Sequence, residues 1–114
     1  MISMYAIPNC GTVKKARAFL ETNSIDYEFV DFKKTPPTKK QIAAWEEYLG
    51  ELPVNKKGTT YRKHKDHYEA LSQSEKADFI IANPSIIKRP VLIQNSTILA
   101  IGFSEEQYKT LITK

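Results

Sequence analysis

The side chain in this 114-residue sequence best suited to do chemistry is its single cysteine, Cys10. A thiol becomes a strong nucleophile once ionised, so its reactivity depends on whether the surroundings favour the thiolate. Cys10 lies in the polar stretch Pro8-Asn9-Cys10-Gly11, after an apolar run that ends at Ile7 and before an amphipathic segment that begins near Val13. A cysteine at a strand-to-helix junction meets the unpaired N–H groups and the positive end of the helix dipole, and both stabilise a negative sulfur. Lone cysteines are also common as small buried hydrophobes. The polar neighbours of Cys10, outside either apolar stripe, favour the reactive thiol. Having one cysteine excludes an internal disulfide, a zinc cage of several thiolates and a C-x-x-C redox pair, so any thiol exchange needs an outside partner. A phosphatase-type C-x₅-R loop is excluded as well, because the sixth residue after Cys10 is Ala16.

Other constellations carry less. His64-x-x-His67 could join Cys10 around a metal, but two histidines in a lysine-rich stretch read as a solvated face, and no metal site is expected. The net charge of +4 is concentrated between Val54 and Tyr68, where Lys56, Lys57, Arg62, Lys63 and Lys65 face Asp66 alone. No groove-reading motif accompanies this excess, so direct nucleic-acid binding is not expected. An anionic thiol or an acidic protein surface would suffice as its partner. Arg89-Pro90, taken by itself, reads as the start of an edge strand with a solvated charge.

These residues need elements to position them. Ile2 to Ile7 is a short strand buried on both faces, and Val13, Ala16, Phe19 and Leu20 recur at helical spacing until Asn23 closes the segment. Tyr27 to Phe32 carries aromatic or branched residues on both faces, which suits an inner strand covered by helices on two sides. Thr38-x-x-Gln41 and Ser72-x-x-Glu75 are capping boxes, opening one helix with Ile42, Trp45 and Leu49 inward that ends at Gly50, and another with Ala77, Ile80 and Ile81 inward that stops at Asn83-Pro84. Glu51 to Leu71 is expected to be irregular, with a turn at Gly58-Thr59-Thr60 and a short helix near Tyr68. Val91 to Ile93 and Thr97 to Ile101 flank the hairpin residues Gln94-Asn95-Ser96. Ser104-x-x-Gln107 is a third capping box, with Phe103 and Tyr108 able to staple across it. The order β-α-β, helices, β-β-α is an α/β thioredoxin-like arrangement with a helical insertion. One domain is expected, with thioredoxin-like parts 1–33 and 88–114 and the insertion at 34–87. No apolar run spans a bilayer and the N-terminus lacks signal-peptide character, so a cytoplasmic location with no membrane contact is expected.

Three separated motifs carry a family resemblance: Tyr5-x-Ile7-Pro8-Asn9-Cys10-Gly11-Thr12, Lys14-Lys15-Ala16-Arg17, and Asn83-Pro84-Ser85-Ile86-Ile87-Lys88-Arg89-Pro90-Val91. With Gly58-Thr59-Thr60-Tyr61-Arg62-Lys63 and Gly102-Phe103-Ser104 between and after them, the chain resembles the ArsC-type arsenate reductase superfamily, most closely its Spx/YffB-type branch. The resemblance implies a thioredoxin-like fold with a helical insertion. It also implies a cis Arg89-Pro90 bond that brings backbone beside Cys10, and an Arg89 that reaches the anion the cysteine attacks. Arsenate reductases of this type carry two further arginines, which align near Asn55 and at Gly102. Their loss removes charge-assisted hydrogen bonds worth about 1.5–3 kcal/mol each, which argues against efficient arsenate turnover. Spx regulators, which bind the α subunit of RNA polymerase, commonly present C-x-x-C where this chain has Cys10-Gly11-Thr12-Val13, so the internal disulfide switch is missing here.

The expectation is a thiol oxidoreductase with Cys10 as nucleophile and glutathione as co-substrate, reducing a small anionic or oxidised substrate. The N–H groups around Gly11 and Thr12 would steady the sulfur, and Asn9, Arg89, Pro90 and Arg62 would complete the binding residues. A glutaredoxin or RNA polymerase could be a protein contact. The alternative is a non-catalytic Spx-like regulator that docks on RNA polymerase or another acidic partner.

Overall fold

The strand that leads to Cys10 is short and strongly apolar, and in the computed structural model it forms an inner strand of a four-stranded sheet. The structure describes residues 1–8 and 10–112, with side chains through Leu111. The chain divides into two compact units, Met1–Asp31 with Arg89–Lys114, and Phe32–Lys88.

In the first unit, β1 (Ile2–Ala6), α1 (Gly11–Thr22) and β2 (Tyr27–Asp31) form a βαβ motif, followed after the second unit by β3 (Val91–Gln94), β4 (Thr97–Ile101) and α5 (Glu105–Ile112). The strand order is β2-β1-β3-β4, with β1 parallel to β2 and antiparallel to β3. Met4, Ala6, Leu92 and Ala100 pack against Val13, Ala16 and Leu20 of α1 and Tyr108 of α5 in one fully buried cluster. This mixed sheet with helices is an α/β, thioredoxin-like fold.

β2 is an edge strand, contrary to the inner position its two apolar faces suggest. Its aromatic residues are covered from α1 instead. The Arg17 guanidinium lies 4.3 Å from the Phe29 ring centroid and donates through Nε to the Tyr27 hydroxyl, which in turn donates to Glu21. Aromatic bodies with polar cover satisfy an edge as well as an interior. The strand also ends one residue earlier than expected, because Phe32 turns away to stack on Trp45, with ring centroids 5.7 Å apart.

Asn95 and Ser96, with φ of 51° and 67°, make the two-residue left-handed turn that a tight hairpin requires. Between Leu92 and Ile93 the β3–β4 register shifts, Leu92 standing opposite Ala100 and Ile93 opposite Ile98. Ahead of α5, the Ser104 hydroxyl accepts from the Gln107 N–H, and Phe103 stands edge-on to Tyr108 at 4.8 Å.

The second unit holds α2 (Lys39–Leu49), α3 (Thr59–Glu69), α4 (Gln73–Ala82) and a 3₁₀ turn at Pro84–Ile86. Both expected capping boxes close, at Thr38/Gln41 and Ser72/Glu75, and Gly50 ends α2 in the left-handed conformation at φ 82°. The basic stretch differs from expectation: it is a regular three-turn helix, and Gly58-Thr59-Thr60 is the entry to that helix, with Gly58 as N-cap. Tyr61 and Tyr68, seven residues apart, are its buried face. Lysines and histidines between them obscure that period, since they occupy the solvent side and the flank. Among the described residues, no helix is long and apolar enough to cross a membrane.

Candidate thiol site

Cys10 is the N-cap of α1, with extended backbone angles (φ −122°, ψ 130°), and its carbonyl accepts the first helical hydrogen bond from Lys14 at 2.9 Å. The side chain is half-buried. As an N-cap it makes no side-chain capping bond of ordinary geometry, which fits a neutral thiol's weakness as an acceptor. Ionisation changes that. Burial alone would push the Cys10 thiol up from its ordinary 9.0, but the Val13 N–H, the Arg89 charge and hydrogen bond, and the Thr12 N–H together bring it below that value.

The donors are thus one residue further along than the pair around Gly11 and Thr12 expected from sequence. The capping rule accounts for this, because an N-cap side chain addresses the N–H groups of the second and third helical residues, here Thr12 and Val13. Had Cys10 been placed as the cap itself, Val13 would have followed. Val13 also explains the missing C-x-x-C: the position of a second cysteine is a wholly buried valine in the core of this unit. Gly11 is exposed at the first helical position, and a Cβ there would meet nothing within 4 Å among the described residues.

Arg89 arrives from the far end of the sequence, at the start of the β3 hairpin, and the Arg89–Pro90 peptide bond is cis. Pro90 is buried, and its carbonyl accepts from the Gly102 N–H at 2.9 Å, tying the entry of β3 to the exit of β4. The planar guanidinium fork can address the sulfur and still present N–H groups to an anion bound there.

Asn9 lies outside the described residues. Arg62 stands on the exposed face of α3 in the second unit. Asn55 is engaged in a turn, its side chain accepting from the Lys57 N–H and its carbonyl from Gly58. Gly102 is left-handed (φ 88°), a conformation that costs an arginine or any other L-residue about 1–2 kcal/mol. His64 and His67 both pack against the Phe79 ring, at 5.6 and 5.7 Å. Among the described residues, no group of three His, Cys, Asp or Glu side chains is placed to hold a metal ion.

The ArsC family model matches residues 5–111. The chain belongs to the ArsC family. A solved protein named YFFB is similar to it at 30% identity, covering 96% of this chain and 97% of that one with a TM-score of 0.83. A possible arsenate reductase from Streptococcus mutans is 34% identical over 90% of this chain and 91% of its own, with a TM-score of 0.73. Among sequence relatives, the global transcriptional regulator Spx of Streptococcus pyogenes is 25% identical over 117 residues, covering all of this chain and 87% of the regulator. The proteins similar to this chain therefore include both one titled a possible reductase and one named a regulator, and similarity alone does not choose between those activities.

Proposed function

We propose that this ArsC-family chain is a thiol oxidoreductase in which Cys10 attacks a small anionic or oxidised substrate and glutathione resolves the adduct. The observation that carries this reading is the sulfur at the mouth of α1, stabilised as a thiolate by the Val13 and Thr12 N–H groups and by Arg89. In the first step the thiolate lone pair forms a bond to the substrate centre, and an oxygen leaves as water after taking up protons. A glutathione thiolate then attacks the Cys10 sulfur, forming the Cys10–glutathione disulfide as the reduced product departs with the electron pair. A second glutathione releases Cys10 and leaves as glutathione disulfide, so two thiols supply the two electrons. Arg89 would hold the substrate anion in the first step and a glutathione carboxylate in the second.

The test is intact-mass analysis after exposure to glutathione disulfide at neutral pH. One glutathione per chain, removed by excess reduced glutathione and absent in Cys10→Ser, is the expected result. Failure of the wild type to form the adduct would remove the mechanism.

The relatives named Spx favour a second reading: a non-catalytic regulator that docks on RNA polymerase or another acidic partner. The exposed Arg62, Lys63 and Lys65 on α3 suit such a surface. Stoichiometric capture of polymerase, unaffected by Cys10→Ser, would support it in place of the enzyme.

A further inference from the structure

The second unit holds a cavity of about 220 Å³ lined by charges of both signs, the carboxylates of Glu46, Glu51 and Glu69 and the ammonium groups of Lys56 and Lys76. Opposite charges this close commonly pair directly, but among these five only Lys76 and Glu69 do, with Nζ 3.5 Å from the carboxylate. Glu46 accepts instead from the Gln73 amide at 2.6 Å. Neither Glu51 nor Lys56 forms an ion pair among the described residues.

The lining therefore has two poles. Glu46 lies in the last turn of α2 and Glu51 follows its Gly50 cap, so both stand by the carbonyl end of that helix, where the dipole adds negative potential. At the other pole Glu69 is already committed: the Tyr61 hydroxyl first, then Lys76 and Lys56, hold its carboxyl below the usual carboxylate range. One spent carboxylate between two ammonium groups leaves that pole positive. The floor is Tyr68, 3% exposed, its ring packed by Tyr61 at 6.0 Å and Phe79 at 5.7 Å. Its hydroxyl, unlike that of Tyr108, is not sealed from solvent, and it makes no hydrogen bond among the described residues. Burial, then the charges of Glu69, Tyr61 and Glu46, push this phenol up to about 12, so it remains a neutral donor at ordinary pH. The two carboxylates that act on the phenol both line the cavity, which places its oxygen at that floor.

We propose that this cavity binds a small amino acid as its zwitterion, the ammonium held by Glu51 and Glu46 and the carboxylate by Lys56, Lys76 and the Tyr68 hydroxyl. An ion of one sign would satisfy one pole and meet like charge at the other. Cavities of roughly 150 Å³ accept benzene, so this one has room for an amino acid with a short side chain. Leu52 is the single aliphatic side chain in the lining, which offers little to a large apolar one. The site does not depend on the proposed thiol reaction.

The test is a ¹H–¹⁵N NMR titration of the full chain at low ionic strength with L-alanine, propionate and ethylammonium, which carry both charges, the carboxylate alone and the ammonium alone. Alanine should shift the Gln73 side-chain amide and the backbone amides of Glu51 and Lys56, and bind more tightly than either single-charge probe. Glu51→Gln should weaken alanine roughly fivefold, the upper worth of one exposed ion pair, and leave propionate unchanged or tighter. Lys56→Gln should weaken alanine to a similar degree and leave ethylammonium unchanged or tighter. Both side chains are exposed, so amide signals away from the cavity and Cys10 alkylation should be unaltered in both variants. The proposal is overturned if alanine at tens of millimolar moves none of these signals, or if propionate or ethylammonium binds as tightly as alanine. It is also overturned if either variant leaves alanine binding unchanged.

Discussion

Replacing Arg89 by leucine removes the one guanidinium that touches the Cys10 sulfur, and two alkylating reagents separate its two effects. Iodoacetamide is neutral, so its rate reports the thiolate fraction and intrinsic reactivity. Iodoacetate carries a carboxylate, so its rate adds the attraction of an incoming anion to Arg89. The ratio of the two rate constants cancels the thiolate fraction and isolates that attraction. A carboxylate about 5 Å from a guanidinium gains ~1 kcal/mol in a water-like dielectric and ~3 kcal/mol at an effective value near 20. Cys10 is only half-buried and Gly11 beside it is exposed, so the lower figure applies. That corresponds to a roughly fivefold fall in the iodoacetate-to-iodoacetamide ratio in Arg89→Leu. Arg89→Lys keeps the charge and should retain most of the preference. A ratio that stays the same in Arg89→Leu would show that the guanidinium does not face entering anions, and the proposed substrate-binding role would fail.

Four further outcomes are expected. The pH midpoint of Cys10 alkylation should lie below 9.0 in the wild type and rise in Arg89→Leu, as measured by iodoacetamide rates across pH. Because the folded thiol is the stronger acid, its ionisation stabilises the fold fully above 9.0 and that contribution is lost as pH falls through the lowered value. Wild-type stability relative to Cys10→Ser, from urea unfolding, should therefore increase with pH over that window and then level off. Gly11→Ala should leave the unfolding midpoint unchanged or raise stability by up to about 1 kcal/mol, since its methyl meets nothing among the described residues, while slowing glutathione adduct formation at the neighbouring sulfur. Gly50→Ala should lower stability by about 1–2 kcal/mol in urea unfolding because its φ is 82°, with Cys10 reactivity unaffected.

Much of the fold was legible in the sequence because its signals are local. The capping boxes at Thr38 and Ser72, the hairpin at Asn95-Ser96 and the Phe103–Tyr108 staple each lie within a few residues, where spacing and hydrogen-bonding chemistry suffice. The helical period of α1 and the position of Cys10 before it are local in the same sense. The α3 helix was obscured because its apolar face is two tyrosines separated by charged residues, and packing of Tyr68 on Phe79 compensates for weak local preference. The edge position of β2 was hidden too, since strand order is decided by pairing between distant segments.

The sequence by itself determined that one thiol must stand at the start of a helix, and that its chemistry must draw on a partner from outside. It could not bring Arg89 to that thiol, because the two are 79 positions apart and meet only when β3 pairs with β1. Nor could it show that Tyr108 is wholly buried, edge-on against Phe19 and Phe103. Residue type and spacing act along the chain, whereas electrostatic neighbours and cavities arise where separate segments pack, and only the tertiary structure specifies that packing.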